Sequence, residues 1–245
     1  MFAMKRNILG IVLLFLGLCG FAQKKEAVDF HVNKSIIVDG DLSEWATWAD
    51  VGNQGKWFYQ IAHDAQNIFV AVRVKDPTLQ NLVARNGVIL NFMADHKKKK
   101  DRIFVYPFPD REVKRAMLQV DFDPAKDYKS DLISRTRGYY VSGFPTIIDG
   151  LLSLQNNYGL KAEARIQDSV LCYEAIIPKS LVTIVDHKMV LKISINDERT
   201  AFPTTANNNN RSGSSSLHRV NSSRMTGKSK TKITMEVVLQ GTLVE

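Results

Sequence analysis

Cysteine is nearly missing from this chain. Its 245 residues include two, Cys19 and Cys172. No pair is left for a disulfide once the first residues are set aside, and a cysteine metal cluster is excluded. The five histidines fall in no zinc spacing, since neither H-E-x-x-H nor H-x-H occurs. A G-x-S-x-G nucleophile elbow and a C-x-x-C-H haem attachment are also missing. Tryptophan is limited to Trp45, Trp48 and Trp57. Long apolar runs are absent apart from Ile8 to Leu18, which is too short for a comfortable membrane span.

That run has a purpose of its own. Lys5 and Arg6 precede it, and Gly20-Phe21-Ala22 follows with small residues at the two positions a signal peptidase reads. Residues 1–22 are therefore expected to be a secretory signal peptide, cleaved after Ala22. Leu18 stands where a lipoprotein needs a small residue before its cysteine, so a lipid anchor on Cys19 is the lesser reading. Residues 23–245 are then expected to form one exported domain, periplasmic or extracellular. No further transmembrane segment is expected in the mature chain. Without staples, that domain must rest on a hydrophobic core, which its length can supply.

Charge is local. The formal net charge is +8. Between Thr205 and Lys232, Arg211, Arg219, Arg224, Lys228, Lys230 and Lys232 stand without an acid. Low-complexity sequence over 205–230 reads as a mobile basic loop before the last strand. The remaining mature chain is close to neutral, which argues against nucleic acid as a partner.

Alternation dominates elsewhere. Ile68, Val70, Val72 and Val74 share one face, as do Leu160, Ala162, Ala164 and Ile166. Leu191, Ile193 and Ile195 form a third stripe, and Ile233, Met235, Val237 and Leu239 a fourth. These are half-buried strands of antiparallel sheets. Turns fall at His63 to Asn67, at Gln167 to Ser169, and between Val88–Phe92 and Ile103–Tyr106. The predicted fold is all-β: an antiparallel β-sandwich of jelly-roll or immunoglobulin-like layout with a few short helices. Helices are expected over Asp41–Asp50 and Pro77–Arg85, with a short turn at Pro178–Val182. Asp110–Leu118 is ambiguous.

One stretch raises a question of site against corner: Ser35 to Trp45, SIIVDGDLSEW. Asp39-Gly40 is a turn pair. Asp41 followed by Glu44 has the spacing of a capping box. Leu42, Trp45 and Ala49 recur at helical spacing. The plain reading is a corner whose carboxylates satisfy backbone N–H groups and whose Trp45 plugs the core. The sharper reading is a calcium site on Asp39 and Asp41 with backbone carbonyls.

Val38–Trp45, VDGDLSEW, resembles the opening motif of family 9 carbohydrate-binding modules and DOMON-like β-sandwiches. Three pieces agree in order: WFYQIAHDAQNIFVAVRVKDP over Trp57–Pro77, NGVILNF with KKKKDRIFVYPFP over Asn86–Pro109, and VLCYEAIIPKSL over Val170–Leu181. The pattern is most similar to small exported bacterial proteins without assigned activity. The resemblance implies a non-catalytic glycan-binding module. An envelope structural or protein-interaction domain is the alternative, and a haem-binding domain is the lesser one, with His63, His187, Met93 or Met117 as conceivable axial ligands.

Sugars stack on aromatic faces. The candidate ligand-binding aromatics are Trp57, Tyr59, Tyr106, Tyr139 and Tyr140. Lys98 and Lys99 in the lysine hairpin, with Arg211 and Arg219 in the basic loop, are candidates for an anionic glycan. No catalytic residue is expected. No cofactor is expected beyond a candidate calcium ion. Glu174 shares a strand face with Cys172 and Ile176, and Cys172 reads as a small core residue.

Overall fold

The computed structural model describes residues 26–32, 36–94, 100–119, 128–197 and 233–243. The expected signal peptide, Lys98, Lys99, Arg211, Arg219 and the basic loop lie outside them.

The strands are β1 (Glu26–Val32), β2 (Ala49–Asp50), β3 (Trp57–His63), β4 (Asn67–Val74), β5 (Val88–Met93) and β6 (Arg102–Tyr106). They continue as β7 (Gly138–Ser142), β8 (Gly150–Ser153), β9 (Lys161–Gln167), β10 (Val170–Pro178), β11 (Lys188–Ile195) and β12 (Glu236–Leu243). One sheet runs β8-β7-β6-β5-β11-β12. The other runs β3-β4-β10-β9, with β2 on the far side of β3. Within each sheet neighbouring strands are antiparallel. β1 joins the two: its first part lies parallel to β12 and its last two residues lie parallel to β3.

The alternating stripes become the core. Ile68, Val70, Val72 and Val74 of β4 meet Leu191, Ile193 and Ile195 of β11 in one apolar cluster, together with Leu90, Phe104, Tyr173 and Leu239. Inner faces of both sheets therefore interdigitate, as a sandwich requires. The β3–β4 hairpin is closed by Asp64, whose carboxylate accepts from the N–H groups of Gln66 and Asn67. β9 and β10 are joined through Asp168 and Ser169, both at positive φ.

Among the described residues the α-helices are α1 (Pro77–Asn86), α2 (Arg111–Gln119) and α3 (Tyr128–Ser134). α1 starts where the sequence says it should. Asp76 accepts from Thr78 N at 2.9 Å and Leu79 N at 3.0 Å, and Pro77 opens the first turn. α3 carries no strong periodic signal and is set by tertiary packing of Leu132 and Ile133.

The helix expected over Asp41–Asp50 is a correction. Only a 3-10 turn forms, Leu42–Glu44, and the chain is extended again at Trp45. The capping box does not close. Asp41 N donates to Asp39 Oδ1 at 2.7 Å, while Glu44 Oε2 accepts from Ile37 N at 2.8 Å. The two acids tie down neighbouring turns rather than one helix end, and Ala49–Asp50 pairs with β3 instead of continuing a helix.

Candidate functional site

The corner is built on a buried carboxylate. In β10, Leu171, Tyr173, Ala175 and Ile177 face the core, so Cys172, Glu174 and Ile176 face outward. The segment 36–48 lies across that outer face. Trp45, 5 % exposed, packs with Val38, Ala62, Phe69 and Ala71 in a second apolar cluster, with Ile36, Leu42, Trp48 and Ile176 against it. Glu174 beneath it is 0 % exposed.

Three donors converge on Glu174. Oε2 accepts from Gly40 N at 2.7 Å and from Asp39 N at 3.1 Å, and Oε1 accepts from the Trp45 indole at 2.6 Å. Gly40 holds φ at 83°, a left-handed turn that lets two successive N–H groups point at one oxygen. Lys161 Nζ donates to Val38 O at 2.6 Å and Arg165 Nε to Gly40 O at 2.8 Å, locking the turn from β9. Burial pushes the Glu174 carboxyl upward, against the pull of the Trp45 indole and the two backbone donors. Both oxygens hold the fold, so this carboxylate has no atom facing a substrate.

Asp39 and Asp41, the candidate calcium ligands, sit in the same turn. Asp39 Oδ1 accepts from Asp41 N, and Asp41 Oδ1 accepts from Ser43 N at 3.0 Å. The second oxygen of Asp41 pairs with Arg165 Nη2 at 3.3 Å. Backbone and side-chain bonds to Ser43 hold the Asp41 carboxyl below its ordinary value, with Arg165 adding to the effect. Among the described residues, no group of three or more His, Cys, Asp or Glu side chains is placed to hold a metal ion.

The aromatic candidates divide. Trp57 (0 % exposed), Tyr59, Tyr106 and Tyr139 all lie in the main core. The Trp57 indole donates to Thr234 O at 2.8 Å, and the Tyr139 hydroxyl accepts from Ala162 N at 3.2 Å. Their rings are covered by protein on the inner sheet faces, so none of the four offers a face to a sugar. Tyr140 points the other way. It is half-buried and pairs with Phe108, centroids 5.3 Å apart, with Lys114 Nζ 5.8 Å from the Phe108 ring.

The haem candidates lie on different elements, and Met93 shares a cleft with Asp186 and Lys188, the residues on either side of His187. His63 is buried, with Nδ1 3.2 Å from both Asp64 O and Lys179 Nζ. His187 is exposed in the turn before β11. Met93 lines a shallow cleft with Thr183, Met189 and Gln240. Met117 falls within α2.

A different group lies beside the corner. On the outer face, the register aligns Phe58 of β3, Arg73 of β4, Cys172 of β10 and Arg165 of β9 in one row. The guanidinium carbon of Arg73 is 4.6 Å from the Trp48 ring and 5.0 Å from the Phe58 ring. Lys75 Nζ is also 5.0 Å from the Phe58 ring. Trp48 and Phe58 are half-buried. Arg73 Nε is buried and has no hydrogen-bond partner among the described residues. Burial pushes the Cys172 thiol upward, with Arg165 and Arg73 pulling it down and Asp41 pushing it up.

Sequence reasoning missed this row. The alternation names Val72 and Val74 as inward and leaves Arg73 between them without a role, and Trp48 enters only as one of three tryptophans. The signal that could have found it is hairpin register. Fixing the turn at Asp64 places Phe58 opposite Arg73. The approach of Trp48 depends on the path of the corner, which no periodicity records.

No family model matches the chain, and no curated protein matches it. Among solved structures, the chain is similar to a family 9 carbohydrate-binding module from Caldicellulosiruptor kristjanssonii in complex with glucose. The identity is 11 % and the TM-score 0.37, over 71 % of this chain and 78 % of that one. A cellotriose complex of a family 9 module from the same organism gives 11 % and 0.35, over 69 % and 76 %. Likeness at this level carries no argument about what this chain binds.

Proposed function

We propose that this protein is an exported, non-catalytic carbohydrate-binding β-sandwich whose sugar stacks on Trp48, beside Phe58 and Arg73. The observation that carries the reading is the fate of the three tryptophans. Trp45 and Trp57 are buried, while Trp48 is half-buried on an outer sheet face, next to a cation without a hydrogen-bond partner among the described residues. A sugar needs that pairing of an aromatic platform with polar groups that fix its hydroxyls. Export rests on the leader-like residues 1–22. The non-catalytic reading is supported by Glu174, whose oxygens are taken up by the corner.

The test is a glycan-array screen of residues 23–245, followed by calorimetry on the best binder. Trp48→Ala should weaken binding at least about tenfold, with the far-ultraviolet spectrum unchanged. A folded protein that binds no neutral or acidic glycan sinks the reading.

One observation favours a second reading, an envelope protein-interaction domain. Among the described strands β8 is a sheet edge; it carries Leu151 (62 % exposed), and Ile148 (92 % exposed), Leu154 and Tyr158 flank it in solvent. Such edges invite strand pairing. Leu151→Lys would then abolish capture of a defined partner while leaving Trp48-dependent sugar binding intact.

A further inference from the structure

We infer that the ligand on this face is acidic, and that Arg73 receives the carboxylate of a sugar acid. The inference rests on the carbohydrate reading above and specifies its ligand class.

The starting point is a cation short of acceptors. A guanidinium carries five N–H donors and stays charged at every physiological pH. Arg73 forms no hydrogen bond and no ion pair among the described residues, and its Nε is fully covered. Leaving a half-buried charge in that state is unfavourable. The two rings offset part of the cost, because a cation over an indole or phenyl face is attracted to it. They do not replace the missing acceptors. The residue is half-buried rather than sealed, so an anion from solution can reach its charge.

Nearby carboxylates do not fill that role. Glu174, one position along the same face, accepts three N–H donors from the corner. Asp41 is held by Ser43 N and by Arg165. Asp50, opposite Phe58 in register, accepts from Gly55 N at 2.8 Å through Oδ2, and its buried Oδ1 has no partner among the described residues. Asp76 pairs with Lys56 at 3.5 Å. Lys75, exposed and close to the same Phe58 ring, adds a second positive charge. The local balance around Trp48 therefore favours an anion.

Geometry narrows the anion. Contact with the Trp48 and Phe58 rings holds the guanidinium in place before any ligand arrives, so little freedom is lost on binding. A held guanidinium matches a planar carboxylate through two parallel N–H···O bonds. A uronate offers that carboxylate on a ring whose C–H face can lie on Trp48. One residue reads the charge and the other reads the sugar.

The experiment is calorimetry on residues 23–245 with a uronate oligosaccharide and with the same oligosaccharide after carboxyl reduction. The wild type should bind the uronate at least about tenfold more tightly, as expected for a charge-assisted bidentate pair. Arg73→Gln should erase that preference, so that the two sugars bind alike. Arg73→Lys should restore a minor part only. Equal binding of both sugars, dependent on Trp48 but not on Arg73, overturns the acidic assignment and leaves the carbohydrate reading standing. Tighter binding of a sulfated oligosaccharide than of the uronate overturns the carboxylate. If no oligosaccharide binds, the carbohydrate reading fails. Free glucuronate is then titrated while the Arg73 Nε–H resonance is followed, with the Trp45 indole resonance reporting the fold. A shift with glucuronate and none with glucose supports the arginine site on its own, and no shift with either ends it.

Discussion

The indole of Trp45 donates to Oε1 of Glu174 at 2.6 Å, across 129 positions of sequence. That bond fastens the corner to the outer face of the β2–β3–β4–β10–β9 sheet. The same carboxylate receives Asp39 and Gly40. Trp48, three residues past Trp45, is thereby delivered to Arg73. The corner and the candidate binding face are mechanically one unit, and the first two predictions concern it.

Glu174→Gln should destabilise the protein by about 1–3 kcal/mol, the range for leaving a buried donor without its acceptor. An amide has one acceptor oxygen, yet three N–H groups converge on the site. At least one of them must face an NH2 group. Urea denaturation followed by tryptophan fluorescence measures this. An unchanged midpoint would mean that the corner is held by the apolar contacts of Trp45 alone. Loosening should also reach Trp48 and weaken ligand binding, although Glu174 touches no ligand.

The same group gives a pH signature. Burial raises the folded-state pKa of Glu174 above 4.5, against the opposing hydrogen bonds. The folded protein then holds this proton more tightly than the unfolded chain. Its contribution is fully present below 4.5 and is lost as pH rises through the raised pKa. Asp64 and Asp76 run the other way. Burial opposes ionisation in both, but N–H donors outweigh it, from Asn67 and Gln66 for Asp64, and from Leu79 and Thr78 for Asp76, helped by Lys56. Their lowered pKa values contribute stability above 3.8 that disappears as pH falls through them. Subtracting the Glu174→Gln stability curve from the wild-type curve isolates the first effect. The wild-type advantage should shrink as pH rises from acid toward neutral. An advantage that grows with pH would reverse the assignment.

Much of the fold is legible in the sequence. Stripes such as Ile68-Val70-Val72-Val74 name the inner faces because one face meets oil and the other meets water. That logic fails where both faces are covered. Phe69 and Ala71 on β4, and Ile176 on β10, are also in apolar contact, because the corner lies over them. Trp57 and Tyr59 share a strand face that can serve as ligand platform or as core, and only the packing of the opposite sheet decides between the two. The Arg73 row was out of reach for another reason. It is assembled from four strands and a loop, and no single window of sequence contains it.

Asp76 offers a local test. It caps α1 through Thr78 N and Leu79 N and pairs with Lys56. Asp76→Ala should cost about 1 kcal/mol, the usual loss for a cap. Asp76→Ser should recover most of it, since a hydroxyl still accepts from the helix N–H groups and the half-buried Lys56 pair, at 3.5 Å, is weak. Thermal unfolding of the three proteins side by side checks the order. A serine variant as unstable as the alanine variant would move the weight from the cap to the ion pair.

The way β1 closes the sandwich yields the last prediction. Among the described strands β1 alone makes parallel pairings, against β12 and then β3, and so spans the seam between the sheets. Its anchor is Phe30, buried in the main core. Gly241 of β12 lies under that ring, and a Cβ built there would collide with it. Glycine inside a strand usually weakens it, but here it makes room for the partner strand's ring. Gly241→Ala should therefore force Phe30 aside and cost about 1–3 kcal/mol, the range for overpacking a core. Phe30→Leu should be destabilising by itself, because it leaves a void. Combined with Gly241→Ala it should be less harmful than the sum, since the methyl then fills space the smaller side chain has vacated. A double-mutant cycle by urea denaturation gives the coupling energy directly. Amide exchange within Glu26–Val32 should accelerate in Gly241→Ala and recover in the double variant. Strictly additive costs would mean that Phe30 and Gly241 do not meet, and that the seam is held by the backbone ladder alone.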